Sequence, residues 1–151
     1  MTKRHSVEFA PRGSIDEIEA GLSLQPKFDS DGLIPAIVTE DASGAVLMFA
    51  FMNAEALAAT IETKRAHIWS RSRKRMWVKG EQSGNVLEVL DVRVDCDQDA
   101  LWLRVRICGN GVACHTGAKS CFYRSIPLGV SPSAATKLTR AEIPAPTSRK
   151  S

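Results

Sequence analysis

The sequence predicts a β-rich α+β fold, in which strand hairpins form a barrel-like sheet core with one main helix. Three observations predict it. Apolar, β-prone runs recur in pairs: "LIPAIVTED" with "AVLMFAFM", "AHIWSRS" with "RMWVKG", and "NVLEVLDVRVDC" with "ALWLRVRIC". One segment, "NAEALAATIETK", has the caps and spacing of a helix. No alternating βα pattern and no glycine-rich turn between a strand and a helix occurs, which argues against a doubly wound dinucleotide fold.

Residues 1–29 read as a loose arm ending in a short helix. In "SIDEIEAGL", Ser14 and Glu17 have capping-box spacing, Ile15, Ile18 and Leu22 share a face, and Gly21 ends the helix. A single domain follows over 30–126. Its first two runs are joined by "DASG", a turn cluster. Apolar residues occupy both parities of "AVLMFAFM", which predicts cover on both faces of that strand. In the main helix Asn53 is the N-cap, Glu55 lies in the positive first turn, and Leu57 and Ile61 share a face. The third pair is joined through "DQD". "GNGVACHTGAKSC" is too glycine-rich for a regular element and reads as a loop, and "FYRSI" as a final short strand. Four of the seven prolines fall between 127 and 146, so 127–151 is expected to be a disordered or surface-draped tail.

The chain has 151 residues, 44% hydrophobic and 25% charged, which is ordinary for a soluble domain. Its longest apolar run, residues 45–52, is far short of the roughly 20 needed to cross a membrane. Early positive charge is not followed by an apolar stretch, so the expected compartment is the cytoplasm. Four cysteines there favour metal binding or catalysis over disulfides. The net charge of +3 is mild, which makes duplex binding less attractive. The stretch 64–79 nevertheless holds Lys64, Arg65, Arg71, Arg73, Lys74, Arg75 and Lys79 without one acid. It is either a solvated basic hairpin or a place for phosphates.

The residues that carry chemistry cluster late in the chain. Cys114 and Cys121 bracket "CHTGAKSC", Cys96 lies at a strand end, and Cys108 ends the next strand. No C-x2-C knuckle is present, which disfavours a zinc ribbon or finger. The choice is a three-thiolate zinc site with an open position or a set of inert thiols. In "VDCDQDAL", extended alternation sends Cys96 to the face of Leu90, Val92 and Val94, and Asp95 and Asp97 to the other. With Asp99, these carboxylates make either a hard-cation site separate from the thiols or an acidic surface turn. His5 lies in the arm. His67 opens a strand and reads as packed or capping. His115, beside Cys114, is either a surface residue or a general acid/base. In "WSRSR", alternation puts Ser70 and Ser72 on one side and Trp69, Arg71 and Arg73 on the other. "KGEQSGN" adds Lys79, Gly80, Ser83 and Gly84, a glycine-relieved stretch that lets backbone approach a phosphorylated ligand.

"LMFAFMNAEAL", "HIWSRSR", "WVKGEQSGN", "DVRVDCDQDAL" and "ACHTGAKSCFYR", in this order and spacing, resemble the phosphoribosyl-AMP cyclohydrolase family of histidine biosynthesis over about residues 30–126. The resemblance implies hydrolysis of the N1–C6 bond of the adenine ring in 1-(5-phosphoribosyl)-AMP, by zinc-bound hydroxide adding to C6, to give the formimino-carboxamide ribonucleotide. It implies Zn²⁺ on Cys96, Cys114 and Cys121, Mg²⁺ on Asp95, Asp97 and Asp99, and a catalytic role for His115. It also implies an intertwined homodimer whose zinc ligands come from both subunits, with no nucleic acid or membrane as partner. Cys108 matches no ligand position. Where family members often have a glycine after the main helix, this chain has Lys64. Where some place a catalytic arginine ahead of the first strand, it has Asp29, so no catalytic arginine is carried over. Some relatives are fused to a pyrophosphohydrolase domain. The 25 residues after Ile126 are too few for one, so the cyclohydrolase step alone is expected. The base deaminases attack the same ring carbon, but their H-x-E and P-C-x-x-C signatures are absent. The rival readings are a zinc-stabilised nucleic-acid-binding module that uses Cys108 as fourth thiolate, and a non-catalytic Mg²⁺-binding domain.

Overall fold

The fold grows from a hairpin. In a computed structural model that describes residues 7–142, α1 (Ile15–Ala20) precedes β1 (Ile34–Glu40) and β2 (Val46–Met52), which pair antiparallel. The turn between them has Gly44 at φ +75°, a conformation that favours glycine. Then follow α2 (Ala54–Thr63), β3 (His67–Ser70), β4 (Arg75–Val78), β5 (Leu87–Val94) and β6 (Leu101–Ile107), with the two-residue strands β7 (Arg124–Ser125) and β8 (Thr139–Arg140) last. All three expected hairpins form: β1–β2, β3–β4 and β5–β6.

The main sheet runs β4-β3-β2-β1-β6-β5, and its one parallel pair is β1–β6. That pair joins the N-terminal and C-terminal hairpins. The sheet curls until its far edge reaches back. Ala66 donates to the Leu87 carbonyl at 3.1 Å and Val89 to that of Lys64 at 2.7 Å, so β5 meets the segment ahead of β3. The result is a half-barrel whose inside holds Ile34, Leu47, Met52, Leu57, Leu101 and Leu103, all fully buried. Each such side chain contributes about 1.5–3 kcal/mol.

α1 forms as its caps predict, with the Ser14 hydroxyl accepting from the Glu17 amide, but none of its residues is buried. Ile15 and Leu22, expected on a packed face, are open to solvent. α2 also starts where predicted, at Asn53, whose side chain accepts from Ala56. Its buried face is Ala56, Leu57 and Thr60, whereas Ile61 is 50% exposed. It is Thr60 that meets the sheet, its hydroxyl accepting from the His67 amide at 3.0 Å. The helix ends at Lys64, which adopts φ +60°, the left-handed cap geometry that glycine takes most readily. That is the physical content of the glycine expected there.

Among the described residues, β2 is not covered on both faces. Phe49 is 50% exposed, and it lies in a row with Ile37 (42%) and Trp102 (40%) across β2, β1 and β6. The strand β8 carries no sequence signal. It is set by pairing with β7, and the Ala141 amide closes the excursion on the Tyr123 carbonyl at 2.8 Å. His5 and the final "PAPTSRKS" lie outside the described residues. No helix among the described residues is long and apolar enough to cross a membrane.

Candidate metal centre

Two loops carry the metal-ligating residue types. The first is 109–123, which has no regular structure, as its glycines predict. It is fixed by what it docks on. Cys121 donates its amide to the Leu47 carbonyl at 2.7 Å, the Ser120 hydroxyl donates to that of Val46 at 2.7 Å, and Lys119 pairs with Glu40 at 2.8 Å. The loop is thereby held on the β1–β2 hairpin. Within it, Ala113 and Cys114 donate back to the Lys119 and Ala118 carbonyls, folding the chain so that the Cys114 and Cys121 thiols meet.

The two thiols differ. Burial pushes the Cys114 thiol up, but hydrogen bonds from the Thr116 hydroxyl (3.0 Å) and backbone, the Cys121 thiol and the charge of Lys79 outweigh it and hold its pKa below the usual range. Cys121 is pushed up to about 11, first by burial and then by its hydrogen bond to Cys114 and by that neighbour's charge. Two adjacent thiols, one of them with its thiolate favoured, are a donor set that a soft cation takes with release of protons. His115 sits next to Cys114 with its ring exposed. Cys96 is elsewhere: among the described residues, no group of three metal ligands includes a cysteine. Cys108 is also apart, donating its amide to the Val86 carbonyl beyond the end of β6.

The second loop is 95–100. Strand alternation stops short of it, because β5 ends at Val94 and the chain turns. The Asp95 amide donates to the Ala100 carbonyl, and the Asp95 carboxylate accepts from the Asp99 and Ala100 amides at 3.0 and 3.1 Å. A bulge at Leu90 removes that residue from the predicted row. Val92, Val94 and Cys96 do share a surface, a depression of about 430 Å³ between β5 and the α1 end. Asp95, Asp97 and Asp99 bring one oxygen each within 4.8 Å of one another. Their mutual hydrogen bonding and repulsion raise Asp99 to about 6, while Asp97, hydrogen-bonded to Asp99 and near Arg12, is held low. Three converging carboxylate oxygens, once deprotonated, are the donor set that a Mg²⁺-like ion takes. Asp95 lines the same depression as Cys96, so the pleat does not divide the soft ligand from all the hard ones, although no thiol joins the carboxylate cluster.

The expected substrate residues fall into two groups. Trp69, Ser70, Arg71 and Ser72 line a groove of about 570 Å³ with Phe49 and Phe51. The strand ends at Ser70, so the predicted alternation through Arg73 fails, and the turn brings the Ser70 and Ser72 hydroxyls to 3.4 Å instead. Arg73 faces this pair through its amide, which donates to the Ser70 hydroxyl at 3.2 Å. The Arg71 guanidinium stacks 4.2 Å over the Phe51 ring. Lys79 lies over Trp77 and its charge reaches both thiols. Gly80, Ser83 and Gly84 form a separate turn. A Cβ on Gly80 would fall 2.2 Å from Asn85 backbone, so glycine is required there. The Asn85 side chain accepts from the Asn110 amide at 2.7 Å, tying this turn to the start of the thiol loop.

Sequence reasoning missed Asn85, Thr116 and Gln98, because their partners lie across loops that no local pattern connects. His67 is packed as expected, its ring against the Arg65 carbonyl at 2.8 Å. Asp29, where some family members have an arginine, accepts from the Asp31 and Leu33 amides and shapes the entry to β1.

Comparison with known proteins identifies the family. Residues 48–123 match the family model described as phosphoribosyl-AMP cyclohydrolase. The chain is 54% identical over 117 residues to the protein of that name from Sinorhizobium medicae (strain WSM419), covering 78% of each. It is 57% identical over 109 residues to that from Brucella anthropi, covering 72% of this chain and 77% of the other. The figures for Brucella canis are 57% over 109 residues, with 72% and 78% covered.

Proposed function

Since the chain belongs to the phosphoribosyl-AMP cyclohydrolase family, we propose that it is the hydrolase that opens the adenine ring of 1-(5-phosphoribosyl)-AMP, a step of L-histidine biosynthesis. The observation that carries the reading is the Cys114–Cys121 pair beside His115, in a loop clamped on the β1–β2 hairpin.

The reaction adds water at C6 and breaks N1–C6. C6 becomes the carboxamide carbon, and N1 leaves in the formimino group with a proton. Ribosylation at N1 already places positive charge on the ring, so C6 is electrophilic. Cys114, Cys121 and Cys96 suit Zn²⁺ by softness and count. A zinc ion held there would supply an activated water at neutral pH. His115 would deliver a proton to N1, so that N1 and not the exocyclic amine departs. The exposed ring beside Cys114 is free to reach substrate.

The two phosphates are met by the basic stretch. The Ser70 and Ser72 hydroxyls and Arg71 in one groove fit one of them. Asp95, Asp97 and Asp99 suit Mg²⁺. Cys96 reaches the thiol pair from a second copy of the chain. The open row Ile37, Phe49 and Trp102 supports a homodimer, because an apolar row of this kind on a sheet face calls for a partner. Four free thiols suit a reducing compartment, the cytoplasm.

A spectrophotometric assay of ring opening tests the reading. Turnover with zinc supplied, and its loss with a zinc chelator, is the expected result. No turnover with both zinc and Mg²⁺ supplied overturns it.

A further inference from the structure

We infer that Gln98 is a positioning residue for the acidic cluster: its side chain ties the loop bearing Asp95, Asp97 and Asp99 to segment 18–27, and this tie sets the carboxylate geometry that receives a hard divalent cation. The inference rests on the cation reading proposed above for that cluster.

Gln98 lies between Asp97 and Asp99, yet it is only 3% exposed. Its backbone sits at φ +55°, where glycine or asparagine is favoured over longer side chains. A glycine would make the turn without strain. What it would lack is the amide, and that amide is fully engaged. Its Oε1 accepts from the Gln25 amide at 2.8 Å, and its Nε2 donates to the Ile18 and Ser23 carbonyls at 3.0 and 3.3 Å. The Gln98 carbonyl accepts from Lys27 at 2.8 Å. Next to it, the Asp97 carbonyl accepts from the Arg12 guanidinium at 2.6 Å. The N-terminal segment thus holds the middle of the loop through a buried side chain that lies between two of the converging carboxylates.

Three carboxylates within one ion's reach repel one another, and a loop free to relax would splay them. A buried anchor between two of them opposes that. Partners of this kind, one step removed from the ligands, typically govern metal affinity by about 10–100-fold. The tie also runs both ways. A cation that orders the cluster must order segment 18–27 to the same degree.

The test uses the full chain, with zinc supplied, titrated with Mn²⁺ and read by the loss of the free-ion paramagnetic resonance signal. Wild type is compared with Gln98→Asn, Gln98→Gly and Asp97→Asn. Asparagine tolerates the left-handed backbone but is one methylene too short to reach Ile18 and Ser23. Both Gln98 variants are expected to bind Mn²⁺ about tenfold more weakly. In wild type, Mn²⁺ is expected to slow hydrogen exchange at the Gln25 and Lys27 amides. If the Gln98 variants bind like wild type, even with lower thermal stability, Gln98 is only a brace and the inference fails while the cation reading stands. If Asp97→Asn binds like wild type, the cation reading fails and takes the inference with it. Should neither Gln98 variant fold, absence of Mn²⁺-induced protection at those two amides in wild type overturns the inference.

Discussion

The thiol loop and the acidic loop differ in completeness. The acidic loop gathers all three of its oxygens within one chain, through its own Asp95 turn and an anchor on the N-terminal segment. The thiol loop is docked on the β1–β2 hairpin, and it brings together Cys114 and Cys121 but not Cys96. On the function proposed above, the hard-cation site would form in a lone chain, whereas the soft-metal site would take its third sulfur from a second one.

The largest effect that sharpens this contrast is at His115. In His115→Ala, zinc content should stay at the wild-type level while kcat falls by roughly 10²–10⁴. Metal analysis beside the ring-opening assay checks both, and an unchanged rate removes His115 from the proton relay. A smaller effect belongs to the acidic loop. Asp99 takes up a proton near pH 6, and only the deprotonated cluster binds a cation. Affinity for Mg²⁺ should therefore be fully developed above pH 7 and fall about tenfold by pH 5, as calorimetric titration would register. The smallest effect lies outside both loops. Lys64→Gly relieves the left-handed backbone at the end of α2 and should stabilise the protein by about 0.5–1 kcal/mol, seen as a higher Tm with unchanged kcat.

Much of the frame was legible locally. "DASG" marks the first hairpin, and Ser14 and Asn53 mark both helix starts, because turns and caps depend on neighbours in sequence. The site was legible in residue identity and not in placement. Strand alternation ends at Ser70 and Val94, where the chain turns, so the side expected for Arg71, opposite Ser70 and Ser72, does not hold, whereas Asp95 and Asp97 stay together through the turn. Ile61 faces out because Thr60 is drawn to the sheet, a long-range demand that helix spacing does not encode. The parallel β1–β6 pair, and the tie of Gln98 to residues 73–80 positions away, also depend on contacts that only the closed fold creates.

The shared soft-metal site is tested most directly by subunit complementation. Cys96→Ser and Cys114→Ser chains, each inactive alone, are co-expressed with different tags, and the mixed dimer is isolated. A site built from two chains leaves one of its two copies intact in that dimer, restoring roughly half the wild-type ring-opening rate. A mixed dimer as inactive as either parent would mean that each chain builds its thiol site alone, and would contradict the account.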